Sequence, residues 1–340
     1  MNAITIPGTE TAVGTVPKAD YGDVRAEFHS LLSGCGVYDL GWRSKIALTG
    51  SDRVRWLNGM VSNNVRDLAA GRGVYAFLLN AQGHIQADLY AFHRGESLMV
   101  DAERSQREKI LQIFDHYIIA DDVEVCDISG KLTALGLTGP ESRSVLERAG
   151  ITIPELEYLQ FVDVQWQQIP LTVLHSGEEA KDSWQIWVAP EHISALWDAL
   201  AKAGARPAGN AALNLFRISR SIPKFGQDIR DRDLPQETGQ LRALSFTKGC
   251  YLGQEIVERI RSRGAVHREF GAFAVDGPLP AAGTKIQTEG KDVGEVTSSA
   301  VLPLPTGDRP VALGYLRCEA IGKELQAAEA RLELTQAPIT

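Results

Sequence analysis

The sequence KGCYLGQE occupies residues 248–255 and places a single cysteine between two glycines. The residues that follow are apolar at helical spacing: Ile256, Val257 and Ile260. This spacing predicts a short helix that begins near Gly253. Cys250 would then lie in the turn before a helix N-terminus, two residues from Lys248. Backbone donors, the helix dipole and a nearby cation each favour a thiolate, so the segment indicates a reactive cysteine. The alternative is a tight buried corner with an inert thiol, since free cysteine is usually a small core residue.

The composition is that of an ordinary globular protein. Apolar residues make up 44% of the 340 residues and charged residues 23%, with a formal net charge of −8. This acidic balance excludes a general nucleic-acid binder or a membrane-surface binder. The chain is long enough for two or three compact units, because a single core stops growing at roughly 250–300 residues.

One segment departs from this acidic balance. Residues 241–270 carry a local surplus of three positive charges, with six basic residues against three acids. The basic residues are Arg242, Lys248, Arg259, Arg261, Arg263 and Arg268. Two interpretations stay open: a solvated helix face, or an anion-binding wall for a polyglutamate tail or a phosphate backbone.

The cysteines and the N-terminal segment bear on the compartment. The four cysteines are far apart, with no CxxC pair and no Cys/His cluster at zinc spacing, which favours a reducing compartment and no structural metal. Residues 1–19 lack the features of a secretory signal and are expected to form a loose arm. No apolar run approaches the ~18 residues of a membrane span. A soluble cytoplasmic protein is expected.

Helical and strand patterns alternate along residues 20–263. A strand after Gly83 alternates apolar residues with polar ones and sets Asp88 on the face opposite Ala87. A similar order of elements follows from Leu132 onward. Helices mixed with hairpins predict an α+β fold rather than a doubly wound sheet. From residue 264 to 340 the pattern changes to five evenly spaced short strands, which predicts a small separate β-barrel.

KGCYLGQE resembles the signature of the YgfZ family, folate-binding proteins related to the T-protein (aminomethyltransferase) of glycine cleavage. Further segments resemble the T-protein family in the same order: residues 57–65, 79–89, 216–218, 223–228, 235–237 and 312–317. The resemblance implies a cloverleaf in which two mixed α+β units and a C-terminal β-barrel surround a folate site. It also implies tetrahydrofolate, or a one-carbon derivative, as the cofactor.

The resemblance suggests roles for individual residues. A reduced pterin presents an edge of hydrogen-bond donors that a carboxylate can accept, and Glu237 is the candidate for it. The candidate catalytic residues are Cys250 and Asp88. The candidate folate-binding residues are Asn63, Asp88, Arg217, Glu237, Lys248, Gln254 and Arg259. T-proteins carry acids where this chain has Ala87 and Ser219, and both changes weaken proton transfer to folate.

The family pattern implies a folate-binding accessory protein in iron–sulfur cluster assembly or repair, including support of radical enzymes that modify tRNA. The expected partners are folate and iron–sulfur client or assembly proteins, without a membrane or direct nucleic-acid binding. A lone thiol does not favour a stably bound cluster on a monomer. Two alternatives are a folate-dependent aminomethyltransferase or demethylase, and a non-catalytic scaffold with a vestigial folate pocket.

Overall fold

The computed structural model describes residues 17–177, 182–264 and 266–339, apart from the side chain of Arg263. Most of the predicted N-terminal arm, residues 1–16, lies outside the described residues. The chain divides into two compact units that alternate along the sequence. Unit 1 comprises the described residues up to Leu57 together with Val65–Tyr75 and Leu89–Leu213, and unit 2 comprises Asn58–Asn64, Ala76–Asp88 and the described residues from Asn214 onward.

Helices and strands are mixed throughout, as the predicted α+β class requires. The α-helices of the described residues are α1 (Val24–Ser33), α2 (Arg53–Met60), α3 (Arg104–Tyr117), α4 (Ser142–Arg148), α5 (Ile193–Lys202), α6 (Asn210–Ser219) and α7 (Gln254–Arg263). The strands before α7 are β1 (Gly36–Asp39), β2 (Arg43–Thr49), β3 (Arg72–Leu79), β4 (Ile85–His93), β5 (Leu98–Glu103), β6 (Glu124–Asp127), β7 (Thr133–Thr138), β8 (Phe161–Trp166), β9 (Ile169–His175), β10 (Ser183–Val188) and β11 (Arg206–Pro207). Among the residues that the structure describes, no helix is long and apolar enough to cross a lipid bilayer.

Unit 1 contains a six-stranded sheet in the order β11-β1-β7-β10-β9-β8. Neighbouring strands from β1 to β8 in this order pair antiparallel. Strand β11 pairs with β1 in parallel. Helix α5 places four apolar side chains at helical spacing in the core of this unit: Ile193, Leu196, Trp197 and Leu200. The sequence pattern predicted this helix because the spacing marks one buried face.

A second sheet has the strand order β3-β4-β5-β2-β6. Strand β4 alternates as predicted, since Ile85, Ala87 and Leu89 are buried while Asp88 is half-buried on the other face. This alternation follows from the two-residue period of a strand.

The C-terminal strands of unit 2 close into a barrel, which confirms the predicted architecture. They are β12 (Arg268–Asp276), β13 (Lys285–Thr288), β14 (Lys291–Leu304), β15 (Gly307–Arg317), β16 (Leu325–Ala327) and β17 (Ala330–Thr335). The barrel order is β12-β15-β14-β13-β16-β17 around an apolar interior that includes Phe273 and Val296. The five-strand prediction missed β16, because three residues are too few to show a strand period.

Candidate functional site

The cysteine segment forms a loop that leads directly into helix α7, as the sequence predicted. Gly253 precedes the helix with a φ of +82°, a conformation that glycine adopts without strain. A Cβ atom at Gly253 would lie 2.5 Å from the carbonyl oxygen of Asn80. The backbone N–H of Leu252 donates to the carbonyl of Gly59 at 3.1 Å. The loop is therefore held against the residue 80–83 turn and the end of α2.

Lys248 is buried and acts within the fold. Its ammonium donates to the carbonyl oxygens of Asn58 at 2.5 Å, Val61 at 2.6 Å and Asn63 at 2.8 Å. It also lies 4.8 Å from the ring centroid of Tyr251. These carbonyls belong to the last turn of α2 and the residues after it, where backbone acceptors lack helical donors. Lys248 thus holds the cysteine loop in place, and its expected role in ligand binding stays a prediction.

Cys250 is exposed, so the expectation of a buried thiol in the alternative interpretation is wrong, whereas its reactivity stays a prediction. Cys35 is buried, and burial raises the pKa of its thiol to about 12. Cys126 is exposed and Cys318 is partly exposed. Within the described residues, no group of three or more His, Cys, Asp or Glu side chains is placed to hold a metal ion.

Asn63 also takes part in the loop structure. Its side-chain amide donates to the carbonyl of Arg242 at 2.7 Å, and its side-chain oxygen accepts from the backbone N–H of Asn64 at 2.8 Å. Since its backbone carbonyl accepts from Lys248, the structure brings these two predicted binding residues into contact.

Glu237 is buried in the short helix Pro235–Thr238. Its Oε2 accepts from the Arg268 guanidinium at 2.9 and 3.2 Å and from the backbone N–H of Leu234 at 3.3 Å. None of these bonds uses Oε1, so within the described part of the chain that oxygen could still accept a hydrogen bond from a ligand.

Arg217 lies on α6 and ties together several parts of unit 2. Its guanidinium donates to Asp228 Oδ2 at 2.7 Å, Ser298 Oγ at 2.9 Å and Asn214 Oδ1 at 2.8 Å. Asp228 is fully buried and also accepts from Thr297 Oγ1 at 2.5 Å. Each guanidinium nitrogen of Arg217 therefore already donates within the fold, and the role of this residue in folate binding stays a prediction.

The remaining candidates lie on strand β4 and on α7. Asp88 is half-buried on β4. Gln254 is the first residue of α7, and its backbone N–H donates to the Tyr251 carbonyl at 3.2 Å. Arg259 is exposed further along the same helix. Gln254 and Arg259 thus both lie on α7, the helix that follows the Cys250 loop.

Two buried polar atoms near the cysteine loop were not singled out from the sequence. The Tyr251 hydroxyl and Gln236 Oε1 are both buried without a hydrogen-bond partner among the described residues. Gln236 is attached to α7 through its amide nitrogen, which donates to the Val257 carbonyl at 2.8 Å. Burial raises the pKa of the Tyr251 hydroxyl to about 12, so it is a hydrogen-bond donor at neutral pH. The position of Tyr251 inside KGCYLGQE was the signal that could have found it.

Comparison with known proteins covers nearly the whole chain. The model of the GCVT N-terminal domain matches residues 17–248, and that of the CAF17 C-terminal beta-barrel domain matches residues 270–339. The aminomethyltransferase of Geobacillus kaustophilus is 26% identical over 316 residues, which is 90% of this chain and 86% of that protein. The aminomethyltransferase of Rubrobacter xylanophilus is 27% identical over 306 residues, 89% of this chain and 81% of that protein.

A solved structure shares the fold. The glycine cleavage system aminomethyltransferase T from Bartonella henselae superposes with a TM-score of 0.82 at 22% identity, over 93% of this chain and 89% of that one. The GCVT N-terminal domain model spans well over half of the sequence. The chain therefore belongs to the GCVT N-terminal domain family and combines that domain with a C-terminal barrel of the CAF17 type.

Proposed function

We propose that this protein binds tetrahydrofolate or a one-carbon derivative in the cytoplasm and acts as an accessory protein in iron–sulfur cluster assembly or repair. Its clients would include radical enzymes that modify tRNA. The observation that carries the proposal is the exposed Cys250 thiol, held on a clamped loop that directly follows the matched GCVT N-terminal domain. A thiol that is accessible while its neighbours are fixed is suited to nucleophilic or redox chemistry.

The polar groups around the loop fit a folate. The orphaned Tyr251 hydroxyl and Gln236 Oε1 require a partner, because an unpaired buried polar atom is costly. A reduced pterin offers both donors and acceptors, and Glu237 Oε1 could accept from its donor edge. When bound, the folate supplies one-carbon chemistry, with its ring held by these groups of unit 2.

The other candidates divide by role. Asp88 presents a half-buried carboxylate that can accept or hold a proton. The exposed Arg259 suits a carboxylate of the folate tail or an acidic patch on a client protein. Gln254, directly after the loop, offers a neutral amide. Lys248 and Arg217 support the site through hydrogen bonds within the fold.

The second candidate function is folate-dependent aminomethyl transfer, which the names of the relatives favour. Two positions weigh against it. Ala87 is fully buried and apolar where T-proteins carry an acid. Ser219 stands in place of the second acid, and its hydroxyl donates to the Phe216 carbonyl at 2.8 Å. Neither side chain can relay a proton to folate in the way a carboxylate does.

A complementation experiment tests the proposal. In cells that lack this protein, the activity of a [4Fe–4S] enzyme is measured after rescue with the wild type, Cys250→Ser or Cys126→Ser. Cys126 is a matched control, because it is also an exposed free cysteine. We expect Cys126→Ser to restore activity and Cys250→Ser to fail. Full rescue by Cys250→Ser, or aminomethyl turnover by the purified protein, would contradict the proposal.

A further inference from the structure

The barrel of unit 2 carries a charged cavity of about 370 Å³ that none of the candidate folate or thiol residues lines. Its walls come from strands β12, β13, β14 and β15 and from the loop before Pro235. The charged residues that line it are Arg232, Arg268, Lys285, Arg317, Asp292 and Glu295. Arg268 is already paired with the carboxylates of Asp233 at 2.8 Å and Glu237 at 2.9 Å, so the cations available to a ligand are Arg232, Lys285 and Arg317.

One of the two carboxylates is already neutralised. Glu295 accepts from Arg230 at 2.5 Å and from Lys285 at 2.7 Å, and Arg232 lies 3.7 Å from it. Burial raises the pKa of the Glu295 carboxyl, but the hydrogen bonds from Arg230 and Lys285 outweigh this effect and hold it at about 2. Arg230 also lies 3.9 Å from the Asp233 carboxylate. The Glu295 carboxylate therefore does not repel an anion as an unpaired carboxylate would.

The cations at the rim are free to reorient toward a ligand. The side chains of Arg232, Lys285 and Arg317 are 62%, 52% and 59% exposed. Arg317 forms a loose ion pair with Glu319, at 3.6 Å. Such exposed pairs contribute little stability, so exchanging them for a ligand costs little.

The donors also approach the cavity from different directions. Arg268 is on β12, Lys285 on β13 and Arg317 on β15, while Arg232 enters from the preceding loop. Cationic donors on separate elements suit a phosphoryl group, whose oxygens point in several directions, and arginine and lysine are its usual partners.

We propose that this cavity binds a small multivalent phosphate compound of the pyrophosphate or phosphate-ester class. The bound anion accepts from Arg232, Lys285 and Arg317 at the rim. This site goes beyond the proposed folate function, because these three cations are not among the candidate folate-binding residues, and one wall residue, Arg268, also donates to Glu237.

Calorimetric titration of the full chain with metal-free sodium pyrophosphate at low salt tests the proposal. We expect saturable binding that Arg317→Gln and Arg232→Gln each weaken about tenfold, the effect of losing one charged hydrogen-bond donor. Arg309→Gln is the matched control, because Arg309 is exposed on the same strand β15 but does not line the cavity. This variant should bind as the wild type does.

A variant that is expected to tighten binding distinguishes an effect on the cavity from a general loss of structure. Asp292→Asn removes a negative charge from the cavity while its side-chain oxygen can still accept from Gln287, which lies 2.8 Å away. We expect this change to tighten pyrophosphate binding about threefold to tenfold at low salt. Absence of saturable binding, unchanged affinity in both arginine variants, or citrate binding as tightly as pyrophosphate would overturn the proposal.

Discussion

The Lys248 ammonium donates to the carbonyl oxygen of Asn58 at 2.5 Å and so fixes the cysteine loop to the last turn of helix α2. Two more carbonyls, those of Val61 and Asn63, share the same ammonium. The buried Lys248 side chain therefore helps to position the loop that carries Cys250.

Replacing Lys248 should destabilise the fold. Lys248→Met keeps the aliphatic stem but leaves three carbonyls without their donor, and we expect a loss of about 3 kcal/mol in the free energy of unfolding. Urea denaturation measures the change. Arg259→Met, at an exposed position of α7, is the control and should change stability by less than about 0.5 kcal/mol. Equal stability of both variants would show that the three hydrogen bonds of Lys248 do not stabilise the fold.

The close approach at Gly253 gives a second prediction. Both Gly253 and Gly264 have positive φ, but a Cβ atom at Gly264 meets nothing within 4 Å, whereas one at Gly253 meets Asn80. Gly264→Ala should therefore cost about 1 kcal/mol of backbone strain alone. Gly253→Ala should cost that strain and a further ~1–3 kcal/mol from overpacking. Thermal unfolding of the two variants side by side measures the difference, and a difference near zero would contradict the loop geometry.

Thiol labelling under native conditions should distinguish the cysteines. Cys250 and Cys126 are exposed and should react rapidly with a disulfide reagent. Cys35, buried with a thiol pKa of about 12, should react only after unfolding. Cys250→Ser and Cys126→Ser should each remove one rapidly reacting equivalent. A rapid phase that is undiminished in Cys250→Ser would mean that this thiol is not accessible in solution.

Glu295 predicts a pH dependence of stability. Its carboxyl pKa falls from 4.5 to about 2 in the folded state, so its ion pairs stabilise the fold above pH 4.5 and lose that contribution as the pH falls toward 2. Glu295→Gln should lower the free energy of unfolding at pH 7 by about 1–2 kcal/mol, as expected for hydrogen bonds to a charged group.

Urea unfolding at several pH values between 7 and 2 measures how the free energy of unfolding changes. The deficit of Glu295→Gln relative to the wild type should shrink through the acid range, whereas Glu329→Gln, at an exposed position, should show little deficit at any pH. A deficit that stays constant down to pH 2 would exclude the ionised carboxylate as its cause.

The sequence predicted the elements whose burial pattern is regular. The alternation along β4 located Asp88 on the correct face, and the spacing after Gly253 located the start of α7. Helix α6 was not predicted, although Ala212, Leu215 and Phe216 follow helical spacing.

The partners of the candidate side chains were beyond the reach of the sequence. Lys248 and the Asn58 carbonyl are 190 residues apart, and Arg217 and Ser298 are 81 residues apart. A local motif records which residues are present but not which of their hydrogen-bonding groups the fold already uses. For this reason the sequence placed Lys248 and Arg217 among the ligand-binding residues, whereas their hydrogen bonds lie within the fold.

The proposed function depends on the binding of a reduced folate by unit 2. Anaerobic calorimetric titration of the purified protein with tetrahydrofolate measures this binding. We expect saturable one-to-one binding that Asp88→Ala weakens and that Asp276→Ala, at an exposed position of the barrel, leaves unchanged. No saturable heat at any accessible concentration would contradict the claim and leave a GCVT-family scaffold without its ligand.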